Sequence, residues 1–385
     1  MNIGSAMGKI RKWAKEIYVF RLTNKILDCI HALMKYAKKC INNFPDDVHF
    51  IMTNRCNLSC AFCGQIKDKY SPKDELSLAD YKSILDQIAT FHKGVSVSFT
   101  GGEVFIRPDI LSILEYAYSK NIRIASVITN GTLLNDEVIN KLLTYKIRHL
   151  CFSIDGNERI HDQIRGVNGS YKRTVHAIQA ISRIKKSNKS KFPLLSVNFV
   201  MVKDNIECIQ SLLDLYLELD LNWLSLAYLV YISDAKLESH KEYMKRNYPE
   251  LDFFYWEKFR EYPSHLDSAR LYREIECLKS RAQEYGANIT TTFGFNQHQT
   301  DLWYNSDRVI LNKCDYFRNS LSLLPNGDYA LCDFIRLAVG NARKTTLRAL
   351  WNNEKAKEFR MKVTKNIIPG CERCCHLRRQ DIYAA

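Results

Sequence analysis

Three cysteines, Cys56, Cys60 and Cys63, lie close together just after a short apolar run. Their spacing places three thiolates on one loop, where they can hold three corners of a four-iron, four-sulfur (4Fe-4S) cluster. The fourth iron then has no protein ligand, and an open iron favours chemistry on a bound molecule over electron carriage. Zinc is the alternative metal, although structural zinc sites usually have four ligands supplied by two CxxC or CxxH pairs.

Polar motifs follow the next three strand-like runs of the chain. Glycines allow close backbone approach, and a glutamate offers an anionic partner to an ammonium group. Because the carboxyl ends of parallel strands meet at one edge of a sheet, we expect these motifs to lie together. They are Thr100-Gly101-Gly102-Glu103, then Thr129-Asn130-Gly131-Thr132, then Ser153-Ile154-Asp155-Gly156 followed by His161-Asp162 and Arg165-Gly166.

A second group of cysteines lies near the end of the printed sequence, at Cys314, Cys332, Cys371 and Cys374, with Cys375 and His376 beside the last. The stretch 324–332 contains Asn326-Gly327, a strong hairpin signal that would carry Cys332 back toward Cys314. Four cysteines of this kind can hold a fully ligated cluster or a zinc ribbon.

The elements that must position these residues alternate between strands and helices from residue 48 to 230. Such alternation implies parallel strands with right-handed crossovers. Six strands fall short of a closed eight-strand barrel, so we predict an α/β fold with a partial, open (β/α)6 barrel. The predicted strands are Val48–Met52, Val95–Phe99, Ile122–Ile128, Leu150–Ile154, Leu194–Val202 and Trp223–Leu229, and the predicted helices are 77–91, 108–119, 135–145, 170–185 and 205–219.

Residues 231–310 are rich in charged and aromatic side chains, and their pattern predicts two or three helices and then a strand at Ile289–Phe293. The predicted organisation is a basic helical segment (1–45), the partial barrel (46–230), a helical bridging region (231–310) and a small cysteine-rich domain with a hairpin and a helix (311–380).

The composition describes a globular protein of 385 residues, with 46% hydrophobic and 25% charged residues. No run approaches the roughly 18 apolar residues of a membrane span, and no signal peptide is recognisable. The thirteen cysteines are odd in number and cluster in metal-like spacings. We therefore expect a reducing, cytoplasmic location rather than disulfides in a secreted protein.

The formal net charge is +14. Half of it lies in residues 1–45, which contain nine basic and two acidic residues. Apolar residues recur there at helical spacing. A basic amphipathic helix can lie on an anionic membrane or bind a partner. The favoured interpretation is a helical pair that packs on the main domain with a solvated basic face.

The loop Cys56-Asn57-Leu58-Ser59-Cys60-Ala61-Phe62-Cys63 resembles the signature loop of the radical S-adenosylmethionine (radical SAM) superfamily, including the aromatic Phe62 before the third cysteine. The resemblance implies that SAM chelates the open iron of a 4Fe-4S cluster. One electron then cleaves SAM to methionine and a 5′-deoxyadenosyl radical, which abstracts a substrate hydrogen atom. The protein positions the reactants in a dry cavity.

The same resemblance assigns SAM contacts to the motifs at the strand ends. Gly101, Gly102 and Glu103 match the family's GGE motif, which holds the methionine ammonium group. Asn130 would line the pocket. Ser153 and Asp155 would face the sugar and methionine of SAM, and Arg165 would pair with the methionine carboxylate. His161 is interpreted as structural rather than as an acid–base group.

The C-terminal cysteines resemble the auxiliary-cluster domains of radical SAM enzymes, of the SPASM and shorter twitch types. Nothing comparable follows Cys375, so we predict one auxiliary 4Fe-4S cluster held by Cys314, Cys332, Cys371 and Cys374. Cys375 either replaces Cys374 or is a spare thiol. The remaining cysteines are predicted to be ordinary buried residues: Cys29, Cys40, Cys151, Cys208 and Cys277.

The resemblance favours an oxidoreductase-like enzyme in which the auxiliary cluster takes the second electron, giving a two-electron oxidation or a crosslink. A peptide or a small, sugar-like polar molecule is the expected substrate, and flavodoxin or ferredoxin is an expected electron donor. A redox-neutral epimerase, with Cys151 returning hydrogen, is the first alternative. A non-catalytic iron–sulfur sensor is the second, and no nucleic-acid partner is expected.

Overall fold

The computed structural model describes residues 44–64, 71–91, 94–249, 259–260, 266–308, 310–314, 316–334, 336–365 and 367–378. The chain divides into two compact units, Met1–Phe44 and Pro45–Ala385, and nearly all described residues belong to the second. The predicted basic helices of the N-terminal segment lie outside the described residues.

Six parallel strands form the barrel, as the sequence predicts. They pair in chain order through β6, and short β7 adds a seventh parallel strand beside β6. The strands are β1 (Asp47–Ile51), β2 (Ser96–Thr100), β3 (Arg123–Thr129), β4 (His149–Ser153), β5 (Leu194–Met201), β6 (Trp223–Tyr228) and β7 (Ile289–Thr291).

Helices connect these strands, and their residues follow the local sequence closely. In α1, Ser77 and Asp80 form a capping box that satisfies backbone N–H groups in the first turn. The helices up to β6 are α1 (Leu78–Thr90), α2 (Ile110–Ser119), α3 (Asp136–Thr144), α4 (Glu158–Arg165), α5 (Ser170–Ser187) and α6 (Leu212–Glu218).

Two parts of the barrel differ from the predicted elements. Helix α4 was not predicted, because only Ile160 and Ile164 are apolar among its eight residues. Asn157 caps it, and Gly166 ends it in the left-handed conformation at φ 70°. The single helix predicted at 205–219 is a 3-10 helix, Lys203–Ser211, followed by the short α6.

The barrel sheet has one apolar and one polar face because residue types alternate along its strands. In β4, Leu150 and Phe152 are fully buried, whereas His149, Cys151 and Ser153 are half-buried. Strand β6 repeats the alternation, with buried Leu224 and Leu226. The polar face therefore carries half-buried side chains, with the small Cys151 and Ser153 among them.

In the described part of the bridging region, two helices precede β7, as predicted, and a third helix follows it. The strand ends at Thr291 rather than at Phe293. An aromatic cluster that includes the fully buried Trp303 packs this region on Tyr228 of β6. The helices are α7 (Asp234–Asn247), α8 (Ser268–Glu284) and α9 (Gln297–Asn305).

The cysteine-rich region contains the predicted hairpin, and it continues the barrel sheet. Strand β9 (Ser320–Leu323) pairs parallel with β1 and antiparallel with β10 (Asp328–Ala330). Gly327 occupies the turn between β9 and β10, with a φ of 85°. The result is a ten-stranded sheet in the order β11-β10-β9-β1-β2-β3-β4-β5-β6-β7. The elements are β8 (Lys313–Cys314), α10 (Tyr316–Asn319), β9 (Ser320–Leu323), β10 (Asp328–Ala330), β11 (Ala338–Asn341), α11 (Leu347–Trp351), α12 (Glu354–Lys365) and β12 (Leu377–Arg378).

Among the helices that the structure describes, none combines the length and apolar character needed to span a bilayer.

Candidate active site

The three-cysteine loop leaves the end of β1 and turns tightly between its second and third cysteines, where Cys63 N donates to Cys60 O at 3.1 Å. Cys60 is buried, and Cys56 and Cys63 are half-buried. Burial raises the pKa of Cys56 to about 11. Such thiols stay protonated on their own and become good ligands when a cationic metal centre compensates the lost solvation. The donor set fits a cluster.

Gly101 and Gly102 lie directly against the backbone of this loop. Gly102 N donates to Thr53 O at 2.7 Å, and Glu103 N donates to Arg55 O at 2.9 Å. A Cβ atom at Gly102 would lie 2.1 Å from Arg55 O, and Gly101 has a φ of 142°. The two glycines are therefore required by the packing of two loops, in addition to any contact with SAM.

The Glu103 carboxylate is fully buried and accepts three hydrogen bonds. The donors are Phe105 N at 3.0 Å, Thr129 Oγ1 at 2.8 Å and Asn130 N at 2.7 Å. Burial raises its pKa, and these hydrogen bonds act in the opposite direction. Glu103 thus connects the ends of β2 and β3 beside the cysteine loop.

Asn130 connects the end of β3 to the same loop. Its Nδ2 donates to Asn57 Oδ1 at 3.0 Å and lies 3.8 Å from Cys56 Sγ. Its Oδ1 accepts from the hydroxyl of Thr132, which also accepts from Asn57 Nδ2 at 2.8 Å. The predicted turn therefore contacts the cluster ligands and does more than connect two elements.

The last turn of α4 holds the other side of the loop. Ser59 N donates to Arg165 O at 3.0 Å, and Ala61 N donates to Ile164 O at 2.9 Å. The Arg165 guanidinium pairs with Asp155 Oδ2 at 2.5 Å and donates to Cys60 Sγ at 3.5 Å. The unpredicted helix thus brings Arg165 to a cluster ligand.

Arg165 also lies 5.6 Å from the ring centroid of Phe62. Its Nε is buried without a hydrogen-bond partner, which leaves a donor available to a bound anionic group. Asp155 Oδ1 accepts from Val200 N at 2.9 Å, so the carboxylate is fixed between β4 and β5. Contact of either side chain with SAM stays a prediction.

His161 lies next to Asp155 of this ion pair, and its side chain is buried, with 1% exposure. Its Nδ1 accepts from Asp155 N at 3.2 Å, and its Nε2 has no hydrogen-bond partner. Burial and the neighbouring Arg165 lower its pKa to about 3. A neutral imidazole that accepts a backbone N–H group supports the structural role predicted for His161.

Seven of the eight predicted SAM-contact residues form one contact network with the cysteine loop: Phe62, Gly101, Gly102, Glu103, Asn130, Asp155 and Arg165. Ser153 lies apart from it on the polar face, opposite Asn198 of β5. Sequence reasoning missed Thr53, just before the cysteine motif, and Asn57, inside it. It also missed Glu75, which contacts Thr53 through its side chain and carries no local pattern.

The four predicted auxiliary ligands, Cys314, Cys332, Cys371 and Cys374, are all buried. Cys314 pairs with Leu377 across β8 and β12, and Cys374 N donates to Cys371 O at 3.1 Å. Burial raises the pKa of Cys371, and the nearby Cys314 adds to this effect. The adjacent Cys375 thiol and burial raise the pKa of Cys374, and Cys332 and Cys371 add to it, so the thiols are neighbours. The set fits one fully ligated cluster, with Cys375 half-buried beside it.

In the described part of the chain, no three His, Cys, Asp or Glu side chains converge as the ligands of a single metal ion. A zinc ion needs its sulfurs at about 2.3 Å from one centre, whereas each sulfur around a 4Fe-4S cluster binds a different iron atom.

Helices of the bridging region contact the turn that carries Cys371 and Cys374. Arg373 lies between them, is 5% exposed, and donates to Trp303 O at 2.8 Å and Leu302 O at 2.9 Å in the last turn of α9. His240 of α7 accepts from Gly370 N at 3.2 Å. These contacts fix the turn that carries Cys371 and Cys374.

The remaining cysteines differ from one another. Cys208 is buried and Cys151 is half-buried on the polar face, where it shares a face with Ser153. Cys277 is exposed, so the prediction that it is buried was wrong. It lies on α8, which turns only one face toward the core. Cys29 and Cys40 lie outside the described residues.

Comparison with known proteins gives two family matches. Residues 50–216 match the radical SAM superfamily, and residues 314–375 match an iron–sulfur cluster-binding domain, SPASM. An AdoMet-dependent heme synthase from Methanosarcina barkeri is 26% identical over 90% of this chain and 94% of its own length.

The antilisterial bacteriocin subtilosin biosynthesis protein AlbA from Bacillus subtilis is 36% identical over 37% of this chain and 32% of its own length. Streptococcus suis SuiB, solved with its precursor peptide SuiA, has a TM-score of 0.59 and 18% identity, covering 89% of this chain and 75% of that one. The SuiB likeness concerns the fold alone.

Proposed function

The chain belongs to the radical SAM superfamily and carries a SPASM-type auxiliary cluster domain, and on this premise we propose that it oxidises or crosslinks a peptide substrate by two electrons. It is an enzyme that uses SAM, a SAM-binding 4Fe-4S cluster and an auxiliary iron–sulfur cluster. The choice of reaction and of substrate is the proposal.

One observation carries the proposal: the auxiliary domain that bears the second cysteine set continues the barrel sheet whose first strand leads into the first set, although Cys314 itself lies on the separate β8–β12 pair. The open set follows β1, and the auxiliary domain pairs its own strand β9 directly with β1. The auxiliary set supplies four protein ligands, so it has no open iron for a substrate. Its remaining roles are electron transfer and structure, and electron transfer gives a substrate radical a route to a two-electron oxidised product.

When bound, the cluster and SAM supply a 5′-deoxyadenosyl radical that abstracts a substrate hydrogen atom. The protein orients and shields the reactants. Cys56, Cys60 and Cys63 hold the cluster, and Glu103 presents a carboxylate for the methionine ammonium group. Arg165 offers its unpartnered Nε to the methionine carboxylate. Because these groups are buried, their electrostatic interactions are stronger than in water.

The polar face of the barrel is the proposed substrate surface. It includes small polar side chains, Cys151 and Ser153 on β4, Asn198 on β5 and Ser225 on β6, beside the larger His149 and Trp223. Small hydrogen-bonding groups suit a peptide segment or another neutral polar substrate. The name of AlbA, a bacteriocin biosynthesis protein, supports a peptide.

A heme precursor is the second candidate, because the relative matched over 90% of this chain is a heme synthase. This match covers 90% of the chain, whereas the AlbA match covers 37% of it. An iron porphyrin is larger and carries anionic propionates, so the two candidates are distinguishable by assay.

Two further roles keep a physical basis. Half-buried Cys151 faces the same side as Ser153 and could return hydrogen in an epimerisation. An electron carrier such as flavodoxin or ferredoxin would supply the first electron in the cytoplasm. Contact of the basic N-terminal segment with a partner or a membrane surface also belongs to the proposal.

The test uses protein reconstituted without oxygen and incubated with SAM and dithionite. We expect 5′-deoxyadenosine from the wild type and none from Cys56→Ala. Candidate precursor peptides and iron porphyrins are then added separately, and mass spectrometry follows the loss of two hydrogen atoms. Turnover of the porphyrin alone would replace the peptide proposal, and an unchanged mass with inverted stereochemistry that depends on Cys151 would indicate an epimerase.

A further inference from the structure

Glu75 lies in the segment between the cysteine loop and α1, and its side chain is 8% exposed. Its carboxylate accepts from Thr53 Oγ1 at 2.5 Å and from Arg55 Nη2 at 2.9 Å. Thr53 Oγ1 accepts in turn from Arg55 N at 3.0 Å. Glu75 therefore fixes the three residues that lead directly into Cys56.

Arg107 completes this ion cluster from the other side. Its side chain is 5% exposed, and Nη1 lies 3.1 Å from Glu75 Oε2 and 3.3 Å from Met52 O. Nη2 pairs with Asp109 at 2.8 Å and donates to Leu76 O at 2.9 Å. A buried carboxylate between two guanidinium groups is strongly held, and its loss leaves Arg107 underpaired in the interior.

The backbone of the same segment is held by the auxiliary domain. Arg343, just after β11, donates to Glu75 O at 2.8 Å and to Asp74 O at 3.3 Å. Leu76 N donates to Pro325 O, in the hairpin turn, at 2.6 Å. Arg343 also donates to Asn326 O at 3.1 Å, so one side chain connects the hairpin turn to the segment.

We propose that Glu75 is a positioning residue that links the position of the auxiliary domain to the geometry of the SAM-binding cluster loop. Arg343 holds the Glu75 segment from the side of the auxiliary domain. The auxiliary hairpin holds the backbone of residues 74–76, and the Glu75 side chain transmits that position to Thr53 and Arg55. The GGE loop follows because Gly102 and Glu103 donate to the carbonyls of Thr53 and Arg55.

The inference needs the two clusters and SAM, and it does not depend on the identity of the substrate. Failure of the peptide proposal would leave it untouched. The property at issue is the geometry of the loop that holds the first cluster, so the test does not require substrate turnover.

The decisive variants are Arg343→Met, Glu75→Gln and the double variant, each reconstituted without oxygen as the full chain. We measure iron content, SAM affinity and the SAM-induced change in the electron paramagnetic resonance spectrum of the reduced first cluster. Glu75→Gln should weaken SAM binding about tenfold. Arg343→Met should weaken it about threefold, since this side chain is partly exposed.

The double variant distinguishes a coupled pair from two independent supports. If Arg343 acts through Glu75, the double variant binds SAM as Glu75→Gln does, with the same altered spectrum. Additive losses would overturn the coupling, because independent sites add. So would a wild-type spectrum and wild-type affinity in Arg343→Met.

Matched controls separate positioning from general loss of charge. Glu137→Gln removes a carboxylate that is 72% exposed and paired on α3, and Lys357→Met removes a cation of an exposed pair on α12. Both should keep the wild-type spectrum and affinity. If Glu75→Gln does not fold, Arg55→Gln replaces it, because that side chain is 37% exposed and bonds the same carboxylate.

Discussion

The guanidinium of Arg165 lies 3.5 Å from the sulfur of Cys60 and 2.5 Å from the carboxylate of Asp155. All three side chains are buried. Because a guanidinium is always charged, Cys60, a proposed ligand of the first cluster, lies beside a fixed positive charge. Such a charge stabilises the reduced cluster more than the oxidised one, because reduction adds negative charge.

Replacing this charge should make the first cluster harder to reduce. We expect Arg165→Gln to lower its midpoint potential by about 50 mV, on the order of 1 kcal/mol for one electron. A potentiometric titration followed by electron paramagnetic resonance measures the shift. Arg159→Gln is the control, because Arg159 lies on the same helix with a side chain 71% exposed. Equal potentials in both variants would contradict the prediction.

Glu103 should contribute directly to SAM affinity. Glu103→Gln removes the carboxylate proposed to bind the methionine ammonium group, and its amide N–H₂ replaces one of the oxygens that accept from Phe105 N and Asn130 N. We expect SAM binding to weaken by about 1.5–3 kcal/mol, as for loss of a charge-assisted hydrogen bond. Equilibrium dialysis of reconstituted protein gives the affinity, and Glu137→Gln is the control. An unchanged affinity would remove Glu103 from the SAM site.

The cysteine motifs and the six barrel strands were predictable because each depends on a local pattern. Metal ligands repeat at short spacings, and strands such as Leu194–Met201 concentrate apolar residues between helical stretches. Helix α4 has neither feature, since its apolar residues are few and its ends depend on Asn157 and Gly166.

Long-range side-chain contacts were not predictable. The requirement for glycine at 102 arises from the carbonyl of Arg55, which is distant in sequence. Glu75 has no pattern of its own, and its role appears only where it meets Thr53 and two arginines. The contact of Arg165 with Cys60 likewise depends on the packing of α4 beside the cysteine loop.

Iron content should separate the two clusters. Reconstituted wild type is expected to bind about eight irons, as two four-iron clusters. The variant with Cys56, Cys60 and Cys63 all replaced by Ala should keep about half of this iron. Iron and zinc analysis with Mössbauer spectroscopy makes the measurement. Full iron retention, or tightly bound zinc, would contradict the two-cluster assignment.

The fourth auxiliary ligand is expected to be Cys374 rather than its neighbour. Cys374 is buried beside Cys332 and Cys371, whereas Cys375 is half-buried. Cys374→Ser should therefore lose the auxiliary spectrum, and Cys375→Ser should keep it. The two substitutions are chemically identical and adjacent, so each controls for the other. The reverse pattern would assign the ligand to Cys375.

His161 should make stability depend on pH. Its pKa falls from 6.5 to about 3 in the folded protein, because it is buried and lies near Arg165. Between these values the unfolded chain binds a proton that the folded chain does not. Stability is therefore complete above the unfolded pKa and decreases as the pH falls below it. At a pH of about 5.5 this costs about 1.5 kcal/mol.

His161→Gln should remove this part of the pH dependence. Urea unfolding of wild type and variant, without oxygen at pH values of about 7 and 5.5, gives their difference in unfolding free energy. That difference should change by about 1.3 kcal/mol in favour of the variant at the lower pH. Contributions from the half-buried His149 and the buried His240 cancel, because both proteins contain them. His176→Gln, at an exposed position of α5, controls for the substitution itself. An equal difference at both pH values would show that His161 titrates alike in the folded and unfolded chains.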